Sequence, residues 1–406
     1  MTHNTVLGLD VGSHAIKALV AEASLDKLRL IAGISRPSAG MRKGVVVDMD
    51  AAAHAIGEVM NEVRSVSRSA LKNIYLSIGG ADVRSELSRG IVAVSRPSSE
   101  IYQDDVDRVI QASQAINLTK NRMILHTVTH EYVVDGVGDI RDPLGMVGDR
   151  IEVSSLIVHA FAPAVKNLVR CVEVNGGAIG GLVFAPLASA RAALNKNQRE
   201  LGSVVVDVGF GMTGVAVYEE DRLLHTAYFP VGGGHITNDI AIALKVPVET
   251  AEKVKLSYGY ALAREVSSKE AIDMKRVDLG AHGSPSRRYV AEVIESRLTE
   301  MFDFVNRELQ TLGRAAKLPA GVVLTGGGAK LPGIVELARE ALRLSVQIGI
   351  PEIGAIEADE KDLIEYIESP EYTTVLGLLL VSKDMGRIRA RGGGAFFSRL
   401  LRNLLP

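Results

Sequence analysis

The sequence predicts an α/β chain built on a duplicated unit, with two inserted subdomains and a C-terminal amphipathic helix. Three observations point there. An Asp-Val-Gly core closes an apolar strand in LGLDVGSHAIKALVAE, from Leu7, and returns about half a chain length later in VVVDVGFGMTGVAVYE, from Val204. Each copy reads strand, glycine turn, strand. Two stretches between the repeated parts depart from this pattern, and the last dozen residues carry apolar side chains at helical spacing.

The elements follow in order. TVLGLDVGS, AIKALVAEA and KLRLIAGISRP read as three strands, and AAAHAIGEVMNEVRSVS as a helix with Ile56, Val59, Met60 and Val63 on one face. NIYLSIGG is a strand closed by paired glycines. Residues 81–164 form an expected α+β insert, a helix over Asp104–Ile116 followed by alternating strands. After the second hairpin, Gly232-Gly233-Gly234 opens a helix with Thr237 or Asn238 near its cap. Residues 237–315 are mostly helical, and in ETAEKVKLSYG Ala251, Val254 and Tyr258 share a side. GVVLTGGGAKLPGIVELAREAL runs strand, Gly326-Gly327-Gly328, helix, and the acidic EADEKDLIEYIESPE reads as a solvated loop and helix face.

Composition removes whole classes of function. The 406 residues suffice for two or three domains. With 46 basic and 48 acidic side chains, no general attraction for nucleic acid exists, and none is expected as a partner. Cys171 is the one cysteine, so no internal disulfide forms, which fits a reducing compartment. The opening MTHNTVLGLDVG lacks the pattern of a signal peptide, and the longest apolar run, Val375 to Val381, is too short to cross a bilayer. His126 and His130 lie four residues apart on a strand pattern, about 13 Å, too far to share one ion.

Glycine turns let backbone amides approach phosphate oxygens, because no β-carbon intervenes. Gly209 to Gly214 satisfies GxGxxG, but a strand pattern follows where a dinucleotide fold needs a helix. Two Asp-x-Gly hairpins facing each other can instead hold a triphosphate between them. Asp10 and Asp207 then point at a bridging Mg²⁺, through water, since magnesium releases its hydration reluctantly.

This arrangement resembles the actin, Hsp70 and sugar-kinase superfamily. The motif order is met: first hairpin, connecting helix GGLVFAPLASARAAL, second hairpin, adenosine loop VVLTGGGAKLPGI, second connecting helix EYTTVLGLLLVS. The resemblance implies a duplicated actin/Hsp70-like ATPase fold that binds ATP. Gly12, Ser13 and Lys17 would contact phosphates from one side, and Gly209, Gly211 and Thr213 from the other. Gly233, Gly234, Glu252, Lys255, Gly327 and Gly328 would surround ribose and adenine, with Asn238 and Gly326 in the same ligand set. Ala185 stands where related filament ATPases often carry an acid, which implies slow or absent hydrolysis.

Within the superfamily the chain resembles the FtsA family of bacterial cell-division proteins over essentially its whole length. HEYVVDGVGDIRDPLGMVGDRIEV, VGGGHITNDIA, AEKVKLSYG and VIESRLTEMFDFVNREL carry the likeness. It implies a first core subdomain over 1–80, 165–200 and 375–385, and a family-type insert over 81–164 that contacts other division proteins. A second core covers 201–236 and 316–374, a helical partner-binding subdomain 237–315, a flexible linker 386–394 and a membrane-targeting helix 395–406. Implied partners are the C-terminal peptide of FtsZ, near Arg297 and Asn306, further copies in a filament, and an anionic membrane. The implied location is the cytoplasmic face of the inner membrane at the division site.

In the tail, Phe396, Phe397, Leu400, Leu401, Leu404 and Leu405 fall on one helical face, with Arg399 and Arg402 off it. Apolar burial worth about 1–1.5 kcal/mol per side chain is largely offset by ordering the segment, so one molecule binds reversibly and a polymer binds firmly. Two other readings share the core fold: a pilus-assembly ATPase of the PilM type, against which the long insert and tail argue, and a small-molecule kinase, for which no catalytic carboxylate beside a sugar pocket is found.

Overall fold

The computed structural model describes residues 4–24, 27–351, 354 and 356–390. Two sheets carry the duplication. The first has the strand order Ile179–Phe184, Ile74–Ile78, Asn4–Val11, Ala15–Ala23, Leu28–Pro37, Ile356–Ala358. In the second, Arg222–Phe229, Thr213–Glu219, Ser203–Val208, Gly321–Thr325 and Val346–Ile348 lie side by side. Each therefore contains a three-stranded antiparallel meander continued by two parallel strands. The middle strands are buried along their length, as expected for sheets covered by helices on both faces.

Helix Met49–Val66 covers the first sheet with Ile56, Val59, Met60 and Val63, and Asp48 caps it by accepting from the amides of Asp50 and Ala51. Two connecting helices run between the halves, Ala185–Ala193 and Thr373–Ala390. They cross with backbones touching: a Cβ on Gly377 would lie 1.9 Å from the Ala188 carbonyl oxygen. The second helix runs through residues 386–390, which the sequence assigns to a linker. Ala, Arg and Ile are compatible with a helix there, and the glycine run begins only at Gly392.

The insert is a four-stranded antiparallel sheet, Arg84–Ala93, Arg150–Phe161, Arg122–Val134 and Val137–Ile140 in spatial order, with helix Gln103–Ser113 against it. It is tied to both halves. The Phe184 amide donates to His126 Nε2 at 2.9 Å, and Ser85 Oγ donates to the Thr226 carbonyl at 2.7 Å.

The helical stretch comprises Gly233–Leu244, Val248–Tyr258 and Arg287–Thr311, with Ala251 and Val254 buried and Tyr258 packed beside them. The first of these helices starts earlier than the sequence suggests. Gly232 is its N-cap in extended backbone, and its amide donates to His235 Nδ1, so Thr237 and Asn238 lie inside the helix. Among the described residues no helix is long and apolar enough to cross a membrane.

Candidate functional site

The two hairpins place their turns face to face across a cavity of about 570 Å³, within the usual size range of small-molecule sites. Their turns close identically: Gly12 N donates to the Ala15 carbonyl at 3.1 Å, and Gly209 N to the Met212 carbonyl at 3.0 Å. The tips meet. His14 and Phe210 rings lie 4.7 Å apart, and a Cβ on Gly211 would come within 3.1 Å of Ser13 Oγ.

Asp10 and Asp207 end the central strands, and each is held by hydroxyls. Ser77 Oγ donates to Asp10 Oδ1, while Ser189 Oγ at 2.6 Å and Thr374 Oγ1 at 3.0 Å donate to Asp207 Oδ2. Removal from water pushes the Asp10 carboxyl above its ordinary pKa; the Asp207 charge adds to this, while Ser77 and Lys17 oppose it. Tyr228, on the same wall, is pushed well above the usual phenol value, mainly by burial and then by both carboxylates. Two acids facing one space form a site for a cation or for a ligand that brings one.

On the opposite wall, Lys255 Nζ donates to Glu252 Oε2 at 2.7 Å, Thr237 Oγ1 at 2.9 Å and the Gly233 carbonyl at 3.2 Å. Gly326 closes this side with φ +82°, where a side chain is strained, and its Cβ would stand 2.3 Å from Asp207 Oδ1. Helix Gly233–Leu244 presents its N-terminus to the cavity, adding partial positive charge.

Asp10, Gly12, Ser13, Lys17, Asp207, Gly209, Gly211, Gly233, Glu252, Lys255 and Gly326 to Gly328 all line the cavity. Three residues of the expected set stand off it. Thr213 is fully buried, with its hydroxyl donating to the Val231 carbonyl, because its register matches that of core residue Ile16 in the first hairpin. Gly234 backs the second turn, its amide donating to the Phe210 carbonyl at 2.7 Å. Asn238 is exposed on the helix, away from the lining.

Ala185, at the start of the first connecting helix, is on the wall as a buried methyl. Sequence reasoning missed Glu371, Lys330, Ser77 and Tyr228. Glu371 lies in the acidic run read as solvated; the signal was its place at the head of the connecting-helix segment EYTTVLGLLLVS.

Away from the cavity, Arg297 binds Asp239 through two nitrogens, at 2.6 and 2.9 Å, and also pairs with Glu300. Asn306 is nine residues further along the same helix, about two and a half turns, and so on the opposite side. His126 and His130 share a strand, and the described residues hold no cluster of three or more metal-type ligands. The membrane-helix residues Phe396 to Leu405 lie outside the described residues.

The family model for "Cell division protein FtsA" matches residues 204–377, and that for "SHS2 domain inserted in FTSA" matches residues 80–159. A Cell division protein FtsA of Pseudomonas aeruginosa is 36% identical over 376 residues, 92% of this chain and 88% of its own length. The chain belongs to the FtsA family of cell division proteins. FtsA proteins of Bacillus subtilis and Escherichia coli strain K12 are each 32% identical, over 95% and 93% of this chain and 85% and 90% of their own.

Solved structures show that the fold is actin-like. The PilM-PilN type IV pilus biogenesis complex matches with TM-score 0.66 at 20% identity, covering 93% of this chain and 98% of that one. MreB5 of Spiroplasma citri bound to ADP matches with TM-score 0.55 at 13% identity, covering 96% and 98%.

Proposed function

We propose that the cavity binds ATP with Mg²⁺, and that the chain polymerises on the cytoplasmic membrane face to tether FtsZ there during division. The observation that carries the nucleotide reading is the pair of Asp-x-Gly hairpins closing on one glycine-lined cavity, with Lys17 on its wall. An MreB5 relative of the same fold is described with ADP bound. The donor set fits: glycines of both turns and of Gly326–Gly328 keep β-carbons out of the cavity, so a phosphate can approach the backbone closely, and Lys17 supplies a cation. Asp10 and Asp207 would hold Mg²⁺ through water. Two carboxylates are too few to bind it alone, so a ligand's phosphates would be needed to complete its shell. The ion would neutralise phosphate charge.

Lys255 and Glu252 orient the ligand's sugar and base side from one wall. Ala185 offers no base for an attacking water, so turnover is slow or absent. A turnover matching an ordinary metabolic kinase would overturn that point. Loss of Mg-ATP binding in Asp207→Ala, followed by calorimetry, tests the site; unchanged affinity would refute it.

The proposal assigns tethering to residues 395–406 and the core to the two duplicated halves, with 81–164 meeting other division proteins. The FtsZ peptide is assigned to the Arg297 side of helix Arg287–Thr311, beside Asp239. Arg297→Glu weakens peptide binding on this reading, and an unchanged titration would remove it. Sedimentation with anionic liposomes, comparing the full chain with one ending at Gly394, tests the tether. Equal binding by both would return the tail to a packing role.

A further inference from the structure

Lys17 and Lys330 reach the cavity from the two halves, and one carboxylate takes both. Lys17 Nζ donates to the Glu371 carbonyl at 2.6 Å and stands 3.7 Å from its Oε2. Lys330 Nζ lies 2.8 Å from Glu371 Oε1, and Ser369 Oγ donates to the same oxygen at 3.3 Å. The Lys17 ammonium also sits 5.1 Å over the Tyr372 ring. The Lys17 and Glu371 side chains are only 15% and 28% exposed, so solvent screens their attraction weakly. Burial opposes ionisation of Glu371, but Lys330 and Lys17 outweigh it and hold its pKa below the usual glutamate value.

Glu371 sits in a single turn, Pro370–Tyr372, pinned where Gly326 N donates to the Pro370 carbonyl at 2.9 Å. Its charge is thus delivered to Lys17 by a fixed backbone. An ammonium carries three protons, and a phosphate that reaches Lys17 must take the place of this anion or share it.

We propose that Glu371 is a tethered competitor of phosphate for Lys17, and so sets the affinity of the cleft for phosphate-bearing ligands over uncharged ones. This rests on the nucleotide reading of the same cavity. Adenosine does not engage Lys17 and is indifferent to the competition. ATP and ADP both gain when the competitor is removed.

The test is calorimetric titration of the full chain with ATP, ADP and adenosine in Mg²⁺ buffer, for wild type, Glu371→Gln, Lys17→Met and the double variant. Glu371→Gln tightens ATP and ADP by about 10-fold and leaves adenosine unchanged. In the Lys17→Met background the gain disappears, because the effect acts through that lysine. A gain that persists without Lys17 would mean that Glu371 acts through Lys330 or a general field, and would overturn the proposal. So would an equal gain for adenosine, or weaker ATP binding. Glu371→Asp, which keeps the charge on a shorter arm, gives an intermediate gain and guards against a folding defect in the amide variant. ATP binding by wild type with no response to Glu371 refutes the competitor alone; no ATP binding by any of these chains refutes the nucleotide reading with it.

Discussion

The two hairpins share a backbone and differ in chemistry. Asp10 pairs in register with Lys17, and Asp207 with Gly214. The first copy therefore supplies a cation where the second supplies none, and the reason is local. A Cβ on Gly214 would lie 2.8 Å from the Tyr228 ring and 2.9 Å from Pro186, so no side chain fits. The acids differ in support as well: a strand hydroxyl, Ser77, serves Asp10, whereas hydroxyls from both connecting helices serve Asp207. Thr325 occupies the strand position corresponding to Ser77 in the second half, and its buried hydroxyl has no hydrogen-bond partner. Duplication thus preserves the cavity's frame while freeing each half to specialise: the first carries charge, the second closure.

The halves also differ in where they accept insertions, and this gives the largest predicted effect. Only the first half bears the sheet anchored through His126, whose ring must be neutral to accept from the Phe184 amide. Burial lowers its pKa from 6.5 to about 4. A histidine depressed in this way contributes stability that is present above pH 6.5 and is lost as pH falls toward 4. Denaturant titrations across that window should show a loss of up to about 3 kcal/mol, flattened in His126→Gln. An unaltered slope in the variant would remove His126 from the account.

Next in size, Lys17→Met should weaken ATP by about 30-fold, the worth of about 2 kcal/mol of charged hydrogen bonding, and spare adenosine in the same calorimetric assay. Equal losses for both ligands would mean that the asymmetry between the copies is not electrostatic. Gly214→Ala should cost about 1.5 kcal/mol of stability in chemical melts, as overpacking against Tyr228 and Pro186, while Lys17→Ala causes no such crowding.

The smallest effect concerns Asp10. Because its folded pKa is raised, its stabilising protonation is complete below the unfolded value of 3.8 and is lost as pH rises through the folded one. At neutral pH its charge therefore costs stability. Asp10→Asn should raise the melting temperature of the ligand-free chain while reducing the Mg²⁺ dependence of ATP binding. A lower melting temperature would contradict the desolvation argument.

Much of this was legible beforehand, for physical reasons. Alternation and glycine turns revealed both hairpins, and a repeated Asp-Val-Gly located their facing acids. Side-chain direction was less accessible. Thr213 looked like a phosphate contact until register set it beside the core position of Ile16. Asn238 fell off the wall because Gly232 starts the helix a turn early. Arg297 and Asn306 lie on the one helix expected for them, and the nine-residue separation turns them to opposite sides. Glu371 was hidden because a run of acids is ordinarily solvated, and only tertiary folding brings it to Lys17.

The contact of Gly377 with Ala188 has a mechanical meaning. Where two backbones touch there is no side chain to cushion sliding, so the crossing behaves as a fulcrum. One arm of the helix is short and holds Thr374, which grips Asp207. The other runs from Gly377 to Ala390, about 20 Å at 1.5 Å per residue. A tilt of about 10° at the fulcrum would carry the far end ~3 Å, so a small adjustment at Asp207 would become a larger stroke at Ala390.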